Sequence, residues 1–329
     1  MIKTTISILL LIFLYTLDAY QRNEIWSEEI TIWADTTRKA PYKARPRFGL
    51  GYSYLNKGNY DKAIEKLVES IKLNPTYAEA YCHLGIAYKK KGLYQEAIKT
   101  FKDSLRYGPA SWRTYYNLAN TYNQLGRYDD AIEGYKKSIH FNSSFANAHN
   151  NLGTVYAKKG LYDSAIVHFN HALELNVDIH QVYLNLGKAY LKTGMYSNSI
   201  KEMEKLIKLK SNLSSAYYFL GNAYFLQGAL DKAIESYTQS LSLEPHQADA
   251  FNNLGCSYYL KGLYQDALNN YQSCLTLSSH HAHAHLNLSL LYRERIKDEK
   301  KSVHHLEKAL SLSSKLSQTN NRNQVYLVY

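Results

Sequence analysis

Catalytic equipment is what this chain lacks. No glycine-rich loop is spaced to cradle a phosphate, and no nucleophile elbow is present. Cysteine is scarce: Cys82, Cys256 and Cys274 lie far apart with neither metal nor redox spacing, and they read as free buried thiols. Among the histidines His280, His281, His283, His285, His304 and His305, the pair His281 and His285 stands four apart on a prospective helix. No carboxylate or cysteine completes a ligand set at suitable spacing. No cofactor, no metal and no small-molecule substrate is therefore expected, and the chain reads as a non-enzyme. The net charge of +11 is spread along the 329 residues rather than gathered on one stretch. A nucleic-acid binder concentrates its basic residues, so the charge is read as solubility or weak attraction to anionic lipid.

Long apolar runs are also absent, with one exception at the start. Ile6–Leu17 is uninterrupted but short of the ~20 residues that span a bilayer; counting from Ile2 to Tyr20 makes it long enough if its polar ends lie at the interfaces. Residues 1–20 are read as an uncleaved membrane segment, with a cleaved signal peptide as the alternative. This predicts a membrane-anchored protein with the rest of the chain outside the cytoplasm; a secreted or cytoplasmic protein is the alternative.

What the chain does have is a period. Leu152-Gly153 returns every 34 residues, as Leu50-Gly51, Leu84-Gly85, Leu118-Ala119, Leu186-Gly187, Leu220-Gly221, Leu254-Gly255 and Leu288-Ser289. Three residues after each small residue comes a tyrosine, from Tyr54 to Tyr292. In the central unit His149, Leu152, Gly153 and Tyr156 mark one face of a helix. Gly160 follows as a helix-ending loop residue, and Tyr162, Ala165, Phe169 and Ala172 mark a second helix. Such a hairpin cannot bury its own apolar face; stacked neighbours bury it for one another.

The lettering and the period resemble the tetratricopeptide repeat. The resemblance implies an all-α, right-handed superhelical solenoid of about eight helix-turn-helix units over residues 44–316, the last degenerate. Shifted by two periods, Trp26, Trp33 and Pro41 fall on Tyr94, Phe101 and Pro109, so residues 21–43 read as the second helix of a leading half-repeat. Residues 317–329 form a polar tail. A further likeness rests on Arg22, Asn23, Trp26, Trp33, Asp35, Thr36 and Pro41. That run is similar to the junction between the last membrane helix and the repeats in mannosyltransferase-like membrane proteins, whose multi-span region this chain lacks.

The informative variation lies on the first helix of each repeat. Two places before the small residue stand Asn117, Asn151, Asn185, Asn253 and Asn287, with Gly49, His83 and Phe219 as exceptions. Nearby are Asn120, Asn147, Asn150, Asn222 and Asn252, and the cations Lys158, Lys188 and Lys192. An amide ladder can hydrogen-bond an extended peptide backbone without reading its side chains. The set resembles the asparagine ladder of O-GlcNAc transferases, which implies a peptide-gripping groove. The alternative is that each amide satisfies local backbone or a neighbouring repeat. The expected function is a non-catalytic scaffold for a protein or extended peptide; the alternative is the substrate-binding part of a membrane glycosyltransferase system.

Overall fold

The computed structural model describes residues 29–175 and 179–312. The expected membrane segment 1–20, Arg22, Asn23, Trp26 and the tail 317–329 lie outside the described residues. Among those described, no helix is long and apolar enough to cross a membrane.

The chain is all-α. In order the helices are α1 Glu29–Lys39, α2 Ala44–Asn56, α3 Tyr60–Leu73, α4 Ala78–Lys90, α5 Tyr94–Tyr107, α6 Trp112–Gln124, α7 Tyr128–Phe141, α8 Ala146–Lys158, α9 Tyr162–Glu174, α10 Ile179–Lys192, α11 Tyr196–Leu209, α12 Ser214–Gln227, α13 Leu230–Leu243, α14 Ala248–Leu260, α15 Tyr264–Leu277, α16 Ala282–Leu291 and α17 Glu299–Leu312. A π-helical turn, Tyr292–Ile296, joins the last two. They fall into two compact units, residues 1–155 and 156–329, with α8 divided between them.

In the first unit, α2 packs on α3, α4 on α5 and α6 on α7 as hairpins, and each hairpin packs on the next. First helices touch first helices, α2 with α4 and α4 with α6. The second unit repeats the scheme from α10 to α17, with α9 against α10. The turn in each hairpin is set by glycine: Gly58, Gly92, Gly126, Gly160, Gly194, Gly228 and Gly262 have φ between 71° and 84°, where a side chain would be strained.

The Leu-Gly pair is explained by the second helix. A Cβ on Gly85 would stand 2.6 Å from the Phe101 ring, and one on Gly221 would stand 2.6 Å from the Tyr237 ring. Where alanine replaces this glycine, at Ala119, the second helix yields instead: a Cβ on Gly134 would stand 2.9 Å from that of Ala119. Four hairpins are also tied at the open end by a serine; Ala172, Leu206 and Cys274 hold that place in three others. Ser70, Ser104 and Ser138 donate hydroxyls to the carbonyls of Ala44, Ala78 and Trp112 at 2.8–2.9 Å. The same serine in α13, Ser240, donates to Ser214 O at 3.0 Å.

Both ends depart from the period for identifiable reasons. At the start, Trp33 of α1 covers Gly49, where a Cβ would come within 2.3 Å of the indole; asparagine cannot occupy that place. At the end, the π-turn carries one extra residue. The left-handed position moves from Ile296, where the period puts it, to Lys297 (φ 63°), and α17 buries Ser302 and Ala309 rather than the residues before them.

Candidate functional site: the first-helix face

The amides singled out by the period do gather on the first helices, but they bond chiefly to the protein. In the first unit, Asn151 of α8 donates its Nδ2 to Asn120 Oδ1 of α6 at 3.0 Å and to the Tyr116 hydroxyl at 3.0 Å. Tyr135 of α7 donates to the same Asn120 oxygen at 2.6 Å. Asn150 donates to Asn151 Oδ1 at 3.3 Å. One asparagine oxygen thus collects a phenol from its own hairpin and an amide from the next.

The same motif recurs three periods later. Tyr237 donates to Asn222 Oδ1 at 2.7 Å, and Asn253 donates to that oxygen at 3.0 Å and to the Tyr218 hydroxyl at 3.3 Å. Asn252 donates to Asn253 Oδ1 at 3.1 Å, and Asn287 donates to Asn252 Oδ1 at 2.9 Å and to Cys256 Sγ at 3.2 Å. Asn222, Asn252, Asn253 and Asn287 have no exposed surface at all. The expectation that these four line a peptide groove is corrected here: their amides are spent across the seam between first helices, because buried polar groups must be paired.

The other expected residues are more open. Asn117, Asn120, Asn150, Asn151 and Asn185 are half-buried, and Asn147, Lys158, Lys188 and Lys192 are exposed. Asn117 accepts from Lys89 Nζ at 2.8 Å and donates to the Arg113 carbonyl at 3.0 Å. Asn185 accepts from Gln181 at 2.9 Å. Lys188 holds its ammonium 4.5 Å from the centroid of the Phe219 ring, so this cation–π contact stands where the asparagine pair stands elsewhere.

A cavity of about 730 Å³ opens on the first-helix face of α2, α4 and α6. Phe48, Tyr52, Tyr77, Cys82, His83 and Arg113 are among the residues that line it. Here the amide motif is missing: Tyr52 and His83 take the places of Asn120 and Asn151, and Leu67 takes that of Tyr135. Rings fill the seam instead. Phe48 lies 5.1 Å from Tyr77 and 5.2 Å from His83, and Tyr52 lies 5.0 Å from His83 edge-to-face. The matching place in the second unit, about 320 Å³, is lined by Tyr218, Gln247, Asp249 and His281, and His281 Nε2 donates to Asp249 at 3.0 Å.

A family described as "TPR repeat" matches residues 51–92, 119–160 and 221–262. Models described as "Tetratricopeptide repeat" match 146–178, 78–110, 180–213, 100–133 and 247–280. The chain belongs to the tetratricopeptide repeat family. Solved structures of similar fold include YrrB, described as a TPR protein with an unusual peptide-binding site, at 24% identity, TM-score 0.50, over 57% of this chain and 96% of that one. A tetratricopeptide repeat protein from Parabacteroides merdae matches at 17% identity and TM-score 0.55, over 81% and 98%. The C-terminal part of a repeat protein from Cytophaga hutchinsonii matches at 19% and 0.57, over 73% and 97%. No curated protein matches.

Cys82, Cys256 and Cys274 are buried and form no disulfide with one another, and burial pushes the thiols of Cys256 and Cys274 up to about 12. Among the described residues no three His, Cys, Asp or Glu side chains gather to hold a metal ion. Sequence reasoning missed the second-helix phenols Tyr135 and Tyr237 that complete the amide motif. It also missed the cavity, whose signal was present as the exceptions Gly49 and His83 in the asparagine series.

Proposed function

We propose that this tetratricopeptide array is a non-catalytic scaffold that binds an extended segment of another protein on the first-helix face. The observation that carries the reading is the open, ring-lined cavity across α2, α4 and α6, at the one seam of the first unit where aromatic side chains replace the amide motif. An extended peptide suits such a face because its side chains can enter a pocket while its backbone follows the helices. YrrB, similar in fold, is described as having a peptide-binding site. Asn147, in the same unit as the cavity and exposed, belongs to the proposal as a secondary contact; Lys158, Lys188 and Lys192 are exposed on the second unit and are proposed as contacts of that unit's own first-helix face. A membrane tether through residues 1–20 belongs to the same proposal, and alkaline carbonate extraction of the full chain is its check: release into the soluble fraction removes it.

The binding reading is tested by passing an unbiased library of linear peptides over the immobilised full chain. Retention of a subset that competes for one site supports it. No retained peptide, under conditions where the array remains helical, removes it.

A further inference from the structure

The charges around the cavity are unbalanced. Arg113 lines it, with its guanidinium 4.6 Å from the Trp112 ring centroid and no carboxylate partner. Lys89 lies outside the lining, half-buried on α4 and reached from Arg113 through one turn of α6: its ammonium bonds Asn117 Oδ1 at 2.8 Å, and Asn117 in turn bonds the Arg113 carbonyl. Burial lowers Lys89 to about 8, the mark of a cation without a counter-charge. Glu79 is the only carboxylate on the cavity wall, and it forms no ion pair. On the corresponding wall in the second unit Asp249 instead accepts from His281 Nε2 at 3.0 Å, while His281 Nδ1 accepts from Ala284 N.

We propose that this cavity selects an acidic–aromatic element in its peptide: an aromatic or large aliphatic side chain against Phe48, Tyr52 and Tyr77, beside an aspartate or glutamate directed at Arg113 and Lys89. The proposal rests on the peptide-binding reading above. The physical reason is complementarity at both ends of one site. The rings offer apolar surface already held open by mutual packing, so a side chain seated there orders little. A ligand carboxylate supplies the charge that Lys89 lacks, and a partly buried pair is screened less than a surface pair.

The test uses the full chain and labelled peptides of about ten residues, Gly-Ser flanked, differing only in a central Glu-Phe, Gln-Phe, Lys-Phe or Glu-Ser pair. Glu-Phe is expected to bind about fivefold more tightly than Gln-Phe, the scale of one to two modest ion pairs, and Lys-Phe more weakly still. The advantage of Glu over Gln should shrink in Arg113→Gln and at about 0.5 M salt. Arg113 is exposed, so this variant should melt with the wild type; Lys89→Gln gives a second arm. Equal binding of Glu-Phe and Gln-Phe, or an advantage that survives both substitutions, overturns the inference and leaves peptide binding standing. No binding of any peptide overturns both.

Discussion

Asn151 donates its side-chain amide to Asn120 Oδ1, 31 positions earlier and one hairpin away, at 3.0 Å. The Tyr135 hydroxyl meets the same oxygen at 2.6 Å. This shared acceptor makes the amides a seam between repeats. Asn120→Leu strands both donors, so it should cost about 1–3 kcal/mol of stability. A double-mutant cycle between Asn120 and Asn151 should show clear coupling; additive effects would mean that the bond contributes nothing.

Two tyrosines in the same framework place should respond differently to loss of the hydroxyl. Tyr237 donates to Asn222 at 2.7 Å, whereas the buried Tyr271 hydroxyl has no oxygen or nitrogen partner and faces only the Cys256 thiol, which stands in the Asn222 place. Tyr237→Phe should cost about 1 kcal/mol, and Tyr271→Phe should cost less or be neutral, because a thiol is a weak acceptor. Chemical denaturation of the two variants side by side checks this; equal losses would count against the hydrogen-bond assignment.

Gly221 touches the Tyr237 ring so closely that an added Cβ would stand 2.6 Å from it. The ring is fully buried and has little room to retreat. Gly221→Ala should therefore destabilise by about 1–3 kcal/mol, although alanine favours helix. A thermal melt at or above the wild-type temperature would show that the hairpin relaxes freely.

The terminal hairpin should loosen in acid. His285 Nε2 donates to the Ser279 carbonyl at 3.1 Å, so the neutral His285 ring leaves its Nδ1 unprotonated, and that atom accepts from His305 Nδ1–H at 2.8 Å. Burial first, then His285, His304 and Lys301, hold His305 down at about 4; burial likewise lowers His285, and His304, Lys308 and His281 add to it. The unfolded chain takes up the His305 proton near 6.5 and the folded one only near 4, so the His305 contribution is complete above about pH 6.5 and is lost as pH falls toward 4; the lowered His285 acts in the same direction. Protection from hydrogen exchange over 299–312, corrected for the intrinsic exchange rate at each pH, should fall between pH 7.5 and 4.5, and His305→Phe, which keeps the stack on Tyr292, should flatten that dependence. A pH-independent protection factor would contradict the pairing.

The hairpins were legible because Leu-Gly, tyrosine and loop glycine recur in one register, and each answers a local demand: close approach at Gly85, left-handed backbone at Gly126. The one-residue shift at the end was legible too, as Ile296 in a glycine place; the π-turn that absorbs it was not, since no residue type demands one. The asparagines were found but their use was not decidable from spacing. Asn253 and Asn185 hold the same repeat place, yet one is fully buried against Tyr218 and Asn222 and the other half-buried, because burial depends on the residues the preceding hairpin presents. Tyr135 escaped notice because its partner Asn120 lies on the other helix of the hairpin, where a single helix's periodicity carries no information.

Two tasks are proposed for one helix face: amides join the repeats, and the ring-lined cavity receives the partner. One paired measurement tests this division most directly, a melt and a titration with a peptide retained by the wild-type chain, made on Asn151→Ala and on Tyr52→Ala combined with Arg113→Gln. The account predicts that Asn151→Ala lowers the melting temperature and keeps affinity per folded molecule, while the cavity variant loses about tenfold or more in affinity and keeps most of its stability. Loss of affinity in Asn151→Ala, with the cavity variant binding as tightly as wild type, would contradict it.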